Sequence, residues 1–467
     1  MNLRSKRIVW ASGLLLLSTG LMAQQADTSK PKRYELTVKE AVDLAFKNVI
    51  ELRNAHLDYR IQEAKNKEIL GQALPQVAGN ISANRYIQLP KFLFPQSDES
   101  VYEVLRRENL LPSSAQAPPP TLVQFSFQQP WNLSLGATLT QLLFQPDVFV
   151  GLQARQSALD YNQALIDQTK EKIKDSAYKR YYAILIAQKQ LLFLSESVKR
   201  LEKLYHDDSV MFKNGFAERL DLDKVQVQLN NLKTTQSVVE TGVTLSYAAI
   251  KFSIGISQKD TVVLKEDLTN ESIKQGILDE GFKYEDRPEI RTLNILQGLQ
   301  KLDVKRYKLG GLPTVALAGN YTVNGMGQKF FTDKSTIWLR SSYIGVNMNV
   351  PIFTGFQRKY KIQEARLTLE KVNYNIDNVK QAIDFEQTAT RESLKNALAN
   401  LDLQERNLQL AERVYNATKT KFEQGVGSSF EVLQADTDYQ TAQSNYFNAL
   451  YNATIARISY LYSLGKL

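Results

Sequence analysis

The stretch KFEQGVGSSFEVL, residues 421–433, interrupts a long helix-forming pattern with Gly-x-Gly-Ser-Ser, and the helical pattern then resumes. A similar break, MFKNGFAERLDL, occurs at residues 211–222. Glycine tolerates the positive φ that a reversing helix end needs. The segment SSFE, residues 428–431, also fits the Ser-x-x-Glu capping box that starts the following helix. Each stretch therefore predicts the tip of a helical hairpin.

The two breaks belong to a repeated unit. Gly215 and Gly255 lie 210 residues before Gly425 and Gly465. Apolar residues of the preceding helices keep the same offset, with seven-residue spacing and one eleven-residue step, at Leu152, Leu159, Ile166, Ile173, Ile184, Leu191, Val198, Tyr205 and Phe212, and at Ile362, Leu369, Ile376, Ile383, Leu394, Leu401, Leu408, Tyr415 and Phe422. Seven-residue spacing is typical of left-handed coiled coils, and the eleven-residue step is a stutter that unwinds the supercoil locally. The sequence therefore predicts two tandem repeats.

The duplication gives the predicted domain organisation. A basic start, an apolar run and Ala23 predict a signal peptide at residues 1–23. We expect repeat 1 at 24–255, a linker at 256–285 and repeat 2 at 286–467. The long helices, at about 147–213 and 356–423, would each extend for about 100 Å. The predicted return helices lie at about 217–253 and 429–464.

Each half also carries two segments that alternate between apolar and small or polar residues, which indicates β-strands. They lie at about 77–87 and 131–142 in the first half, and at about 315–324 and 337–350 in the second. Four strands cannot close a barrel, and open sheet edges are not tolerated in lipid. If these strands span a membrane, several copies of the chain must combine them. The connection from 88 to 129 is predicted to be an irregular loop, and Gly325 and Gly327 are predicted to be loop glycines.

Composition excludes several classes of function. The 467 residues contain no cysteine, so a disulfide framework, a thiolate metal site and an acylated N-terminal cysteine are all impossible. The two histidines, His56 and His206, lie in different predicted helices without metal-ligand spacing. No nucleophile elbow, P-loop or H-E-x-x-H motif occurs. We therefore predict no enzyme activity, no cofactor and no metal. The net charge of +9 is dispersed along the chain, so no nucleic-acid partner is predicted.

These features resemble the TolC-like outer-membrane efflux channel family over nearly the whole mature chain. VPIFTGFQRKYKIQEAR, residues 350–366, looks like the family's strand-to-helix corner, and KFEQGVGSSFEVLQAD, residues 421–436, looks like its hairpin tip. The resemblance implies a mainly α fold with membrane β structure. A homotrimer would form a long periplasmic coiled-coil α-helical barrel and an outer-membrane β-barrel with four strands from each protomer. The implied location is the outer membrane with a periplasmic extension.

The resemblance also implies a function. The chain would be the passive exit duct of a tripartite efflux pump or a type I secretion system. Its partners would be a periplasmic adaptor, through it an inner-membrane transporter, and outer-membrane lipid. Opening would follow from untwisting of the periplasmic hairpins. The alternative is a soluble periplasmic coiled-coil adaptor or scaffold, although adaptors usually carry one hairpin rather than two in tandem.

Site residues follow from the same resemblance. Glu431, Gln434 and Asp221 match positions at the pore aperture. The segments expected to dock the adaptor are Gly215, Phe216 and Ala217 in the first tip and Gly425, Val426 and Gly427 in the second. Some family members carry an arginine where this chain has Gly427, so that latch must differ here or be absent.

Overall fold

The computed structural model of the chain describes residues 31–266, 273, 281–330, 334 and 336–467. The first half contains β1 (Arg33–Leu36), α1 (Val38–Asn48), α2 (Ile50–Gln72), β2 (Gln76–Arg85), β3 (Phe92–Gln96), α3 (Glu99–Arg107), β4 (Thr121–Phe125), β5 (Trp131–Phe144), α4 (Pro146–Lys213) and α5 (Arg219–Ser253). The second half contains β6 (Thr261–Leu264), a 3₁₀ turn (Tyr284–Asp286), α6 (Pro288–Leu309), β7 (Thr314–Gly327), β8 (Ile337–Asn349), α7 (Gln357–Glu423) and α8 (Ser429–Ser463).

Some predicted segments cannot be compared with the structure. The predicted signal peptide, residues 1–23, lies outside the described residues, as does much of the predicted linker at 256–285. The proposed boundaries of the two repeats stay predictions.

Two long hairpins dominate the fold. Helices α4 and α7 have 68 and 67 residues, and the return helices α5 and α8 have 35 each. They pack in the order α5–α4–α8–α7. Apolar residues at the predicted seven-residue positions are buried along both long helices, including Ile166, Ile184, Ile383 and Leu401. Among the described residues, no helix combines the length and apolar character needed to cross a bilayer.

The four predicted strands form one antiparallel sheet in the order β2–β5–β7–β8. Gln76 pairs with Thr140, Trp131 with Gly327, and Thr314 with Asn349. The residues of β5 and β7 are mostly half-buried, whereas all those of β2 and nearly all those of β8 are exposed. The sheet therefore has two open edges, one from each half of the chain.

The prediction of an irregular loop from 88 to 129 is wrong. This connection contains a second antiparallel pair, β3 and β4, with α3 between them. Phe92, Phe94 and Phe125 surround Phe127, with ring centroids 4.8–6.0 Å apart. Alternating aromatic and β-branched residues in these short segments favour strands. The proline-rich stretch that follows α3 made the whole connection resemble an irregular loop.

Gly325 and Gly327 are strand residues rather than loop residues. Both belong to β7, and Gly325 pairs with Leu133 on one side and Trp338 on the other. A Cβ atom at position 325 would lie only 2.9 Å from the indole ring of Trp338. The glycine is therefore present to make room for that aromatic ring, not to form a turn.

A smaller layer wraps the middle of the long helices. Strands β1 and β6 pair in parallel, and α1 begins with a capping box formed by Thr37 and Glu40. The buried Tyr181 hydroxyl of α4 donates to the Leu36 carbonyl oxygen at 2.9 Å and accepts from the Glu266 amide at 3.2 Å. These bonds fix the layer against α4.

Four glycines end the helices of the two hairpins in the same way. Gly215, Gly255, Gly425 and Gly465 have φ between +70° and +80°. In each case the glycine and the residue after it donate their amides back to the last turn, which is the Schellman motif. A Cβ at position 255 would lie 2.7 Å from Asn48 Cβ, whereas at position 215 nothing lies within 4 Å.

This difference predicts a graded series of alanine substitutions. Gly242→Ala, inside α5 with open space around it, should stabilise the protein by about 0.5–1 kcal/mol. Gly215→Ala should destabilise it by about 1–2 kcal/mol through the positive φ alone. Gly255→Ala should be worse still, because it adds a steric overlap. Thermal unfolding midpoints of the three variants check the order, and equal midpoints for Gly215→Ala and Gly255→Ala would contradict it.

Candidate functional site

The candidate site is the end of the two hairpins. At the first tip, the Gly215 amide donates to the Phe212 carbonyl oxygen at 3.0 Å and the Phe216 amide to Met211 at 2.9 Å. At the second tip, Gly425 and Val426 make the equivalent bonds at 2.9 and 3.0 Å. The side chains of Phe216 and Val426 are 80% and 77% exposed. Each tip therefore presents an unusually exposed apolar side chain next to its turn.

The predicted aperture residue Glu431 lies in the first turn of α8. Its amide donates to the Ser428 hydroxyl at 3.2 Å, so serine caps the helix as predicted. Among the described hydrogen bonds, the Ser428 amide does not donate to the Glu431 carboxylate, so this half of the capping box is missing. The carboxylate lies instead beside Gly427, where Oε2 is 3.4 Å from the position of a Cβ atom.

The other two predicted aperture residues have local partners. Asp221, 210 residues before Glu431, pairs with Lys224 at 3.2 Å. The ammonium group of Lys224 also lies 4.8 Å from the ring centroid of Phe430, so the first tip contacts the second. Gln434 donates to Asp438 at 3.1 Å.

Asp438 is a candidate that the sequence reasoning missed. It lies seven residues after Glu431, which places both carboxylates on the same face of α8, and both are exposed. The seven-residue spacing was the available signal. Helix α8 therefore exposes two carboxylates on one face, two helical turns apart.

A buried ion pair joins the first hairpin to the second. Arg200 Nε lies 2.9 Å from Asp436 Oδ1, and the aspartate side chain is only 2% exposed. The guanidinium carbon lies 5.3 and 5.1 Å from the ring centroids of Tyr415 and Tyr439, which stack on each other. Arg200 also donates to the Ser197 hydroxyl at 2.8 Å. This single arginine therefore links α4 to both helices of the second hairpin.

Burial raises the pKa of the Asp436 carboxyl, and the Arg200 guanidinium opposes part of this rise. The Gln440 amide donates to the second oxygen of the carboxylate. The aspartate is thus held by partners on both oxygens.

Asp208, nearer the tip, lacks such partners. Its side chain is fully buried where α4 meets α8, and neither carboxylate oxygen has a hydrogen-bond partner. Burial is the main reason that its pKa is raised, and the carboxylates of Asp221 and Asp207 raise it further. The nearby Ser429 hydroxyl lowers this pKa in part, although its geometry falls outside that of a hydrogen bond. The tip therefore contains a buried acid whose two carboxylate oxygens lack a hydrogen-bond partner.

Because the Asp208 pKa is higher in the folded chain than in the unfolded chain, its protonated form favours folding. This contribution is present below the usual pKa range of aspartate and is lost as pH rises through the raised value. Asp208→Asn should therefore raise the free energy of unfolding near pH 7 by about 1 kcal/mol or more, which a higher thermal unfolding midpoint would report. The difference in free energy of unfolding between the variant and the wild-type protein should shrink as the pH falls toward about 4, because Asp208 becomes protonated.

The matched control is Asp207→Asn, which changes the adjacent, half-buried aspartate. It should raise the free energy of unfolding near pH 7 by much less than Asp208→Asn, because it removes only the repulsion between the two carboxylates. A lower midpoint for Asp208→Asn at neutral pH, with the same pH dependence as wild type, would show that the buried carboxylate has a stabilising partner.

Known proteins share sequence similarity with this chain. Residues 301–466 match the family model described as outer membrane efflux protein. Outer membrane protein TolC of Vibrio cholerae is 21% identical over 345 residues, which cover 72% of this chain and 77% of that relative. Protein CyaE of Bordetella pertussis is 22% identical over 328 residues, or 68% of this chain and 67% of CyaE.

Solved structures share the fold across almost the whole chain. CusC has a TM-score of 0.70 at 14% identity and covers 94% of this chain and 95% of its own. The Campylobacter jejuni CmeC outer membrane channel has a TM-score of 0.70 at 16% identity, with 92% and 85% covered. Residues 301–466 thus match the outer membrane efflux protein family, the chain is similar in sequence to TolC over 72% of its length, and its fold is that of the solved channels CusC and CmeC.

Proposed function

We propose that this chain is the outer-membrane exit duct of a tripartite efflux pump or a type I secretion system. It would act as a homotrimer, with a periplasmic adaptor and an inner-membrane transporter as partners. Its relatives and structural neighbours are outer-membrane proteins and channels, which favours the duct over the alternative of a soluble adaptor. The observation that carries the proposal is that both layers of the protomer end in open, apolar edges.

The sheet is open at β2 and β8. Val77 and Ile81 on β2, and Ile344 and Val346 on β8, have apolar side chains that are all more than half exposed. The strands alternate in direction across the sheet, so β8 of one protomer and β2 of the next would also run antiparallel. Three protomers would then form a closed sheet of twelve strands without a lipid-exposed edge.

The row of helices is open at α5 and α7. Exposed apolar residues follow α5 with steps of seven, eleven, seven and seven, at Leu220, Val227, Val238, Leu245 and Phe252. Those of α7 begin with steps of seven, seven and eleven, at Tyr360, Leu367, Tyr374 and Phe385. Both sets have the spacing of coiled-coil seams with a stutter. A contact between α5 of one protomer and α7 of its neighbour would bury both sets of exposed apolar side chains.

The tips supply the aperture and the docking surface in this proposal. Glu431 and Asp438 would face the axis as two acidic rings, which attract cations and repel anions. Opening would move the hairpins as packed units. The turns Gly215–Ala217 and Gly425–Gly427, with the exposed Phe216 and Val426, would meet the adaptor.

Disrupting the α5 seam should prevent assembly. Val238→Glu with Leu245→Glu introduces two charges into an interface that is apolar, and removing such charges from water is expensive. We expect a monomer in detergent by size-exclusion chromatography with light scattering. The matched control, Ser237→Glu with Thr244→Glu, changes exposed polar residues one position earlier on the helix and should remain trimeric. A trimer from the seam variant would remove α5 from the interface.

Conductance tests the function itself. Purified protein should open channels in planar lipid bilayers, and Glu431→Gln should lower the preference for cations over anions by about twofold or more. The control Asp223→Asn removes a carboxylate that pairs with Arg219 at 3.0 Å and should leave the preference unchanged. Channels with unaltered selectivity would exclude Glu431 from the pore, and no conductance from wild-type protein would overturn the proposed function.

A further inference from the structure

A cavity of about 530 Å³ lies at the corner between β8 and α7. Its lining divides into an apolar part and a cationic part. The apolar side chains are those of Ile352, Phe353 and Phe356, and the cationic ones are those of Arg358, Lys359 and Arg366. Ile352 and Phe353 are 94% and 75% exposed, so the apolar part opens to the surroundings.

The cations of this cavity are not neutralised by the protein. None of the three forms an ion pair with a carboxylate in the part of the chain that the structure describes. The guanidinium group of Arg358 lies against Gly311, in the space that a Cβ atom at position 311 would take. Lys359 has only a neighbouring aromatic ring, Tyr360, at 5.9 Å from its centroid. The cavity therefore presents three positive charges that an anion could neutralise.

The fold does not require these residues. The equivalent corner of the first half, 210 residues earlier, starts α4 with Pro146 at its first position and Asp147 in its first turn. Proline and an acidic residue are the usual stabilisers of a helix start. The α7 start has no acidic residue in its first turn, and basic residues there are unfavourable. The two corners differ in backbone, since Gly355 and Phe356 have φ of +57° and +65° whereas Gln145 has φ of −147°. Those φ values concern positions 355 and 356 only, so they do not account for the basic residues at 358, 359 and 366.

The cavity faces outward if the chain forms a tunnel. Asp384 lies eighteen residues, or five helical turns, after Arg366 and hence on the same face of α7. The Tyr284 hydroxyl, from the segment that precedes α6, donates to Asp384 Oδ1 at 2.7 Å. A segment packed on this face lies on the outer side of the helices, since the inner side is the passage. The cavity then opens where the exposed sheet meets the helices.

We propose that this corner binds an anionic phospholipid, with its phosphate between Arg358, Lys359 and Arg366 and an acyl chain against Ile352 and Phe353. This inference rests on the proposed function, because the duct places the corner at the periplasmic boundary of the outer membrane. Aromatic and basic side chains are typical of that boundary. Arginine matches phosphate geometry through paired hydrogen bonds. Exposed apolar residues beside the cations favour a lipid over free phosphate.

Native mass spectrometry of the detergent-solubilised trimer tests the proposal. The probes are phosphatidylglycerol, phosphatidylcholine with the same acyl chains, and inorganic phosphate. Wild-type protein should retain phosphatidylglycerol preferentially. The triple variant Arg358→Gln, Lys359→Gln, Arg366→Gln should bind it at least about tenfold more weakly, since each basic residue near an anionic lipid contributes roughly a fivefold gain in binding.

The matched control is Lys371→Gln, Lys395→Gln, Arg413→Gln, which removes three exposed cations from the same helix outside the cavity. It should bind phosphatidylglycerol like wild type. Equal retention of phosphatidylglycerol by the cavity variant, or of phosphatidylcholine by wild type, would overturn the proposal. Displacement of the lipid by inorganic phosphate would also overturn it, because the site would then recognise a free anion.

The two proposals fail in different ways. The cavity variant should still form trimers and conduct in phosphatidylcholine bilayers, because the cavity lies outside the passage. A conducting wild-type trimer without lipid preference would reject only the lipid site. A wild-type protein that neither trimerises nor conducts would reject the duct.

Discussion

The unpaired backbone groups at the two edges of the sheet are the constraint on which the rest of the structure depends. In hydrocarbon, each unsatisfied N–H or C=O group costs several kcal/mol, so β2 and β8 cannot remain edges in lipid. The row of helices is open at the same two sides, with α5 from the first half and α7 from the second. A neighbour that continues the sheet would therefore also cover the exposed helix seams. In the proposed duct, one requirement, the pairing of strand edges in lipid, would thus determine the assembly of a tunnel that lies far from the lipid.

Apolar side chains pack both within the hairpins and between them, where Phe193 of α4 contacts Phe447 of α8, but the contact between the hairpins also contains a set of buried polar groups. Within the tips of the hairpins, α4 packs on α5 and α7 on α8 through apolar side chains such as Leu229 and Val432. Between the hairpins, the α4–α8 contact contains the Arg200–Asp436 pair, the buried Asp208, and a Ser197–Gln443 contact. Apolar seams favour hairpins that stay intact as units. Polar contacts with discrete partners favour a boundary at which those units exchange one arrangement for another.

The sequence predicted what depends on local pattern. Seven-residue spacing placed the ends of α4 and α7 within one residue of those in the structure, and the glycines at positions 215 and 425 located both turns. It missed features that depend on distant partners. Arg200 and Asp436 are more than two hundred residues apart, and nothing near either one indicates the other. Gly325 has the sequence context of a turn, and only the Trp338 ring on the neighbouring strand explains it. The exposed Asp438 could have been found, because it repeats the Glu431 position one heptad later.

The places where the two halves differ are therefore informative. Their hairpins share the same backbone requirements, which is why the four glycines that end the hairpin helices, among the five described glycines with positive φ, occur in two pairs with the same offset. Side chains that differ at equivalent positions cannot be explained by the shared turn. Ala217 and Gly427 form such a pair at the tips, where a Cβ on Gly427 would press against the Phe422 amide and lie beside the Glu431 carboxylate. Val148 and Arg358 are also equivalent by sequence offset, one buried and the other set against Gly311, but the corners before them differ in backbone, with φ of −147° at Gln145 and +57° at Gly355. In the proposed duplication, each half serves as the control for the other, and the difference at the tip is one that the shared turn leaves unexplained.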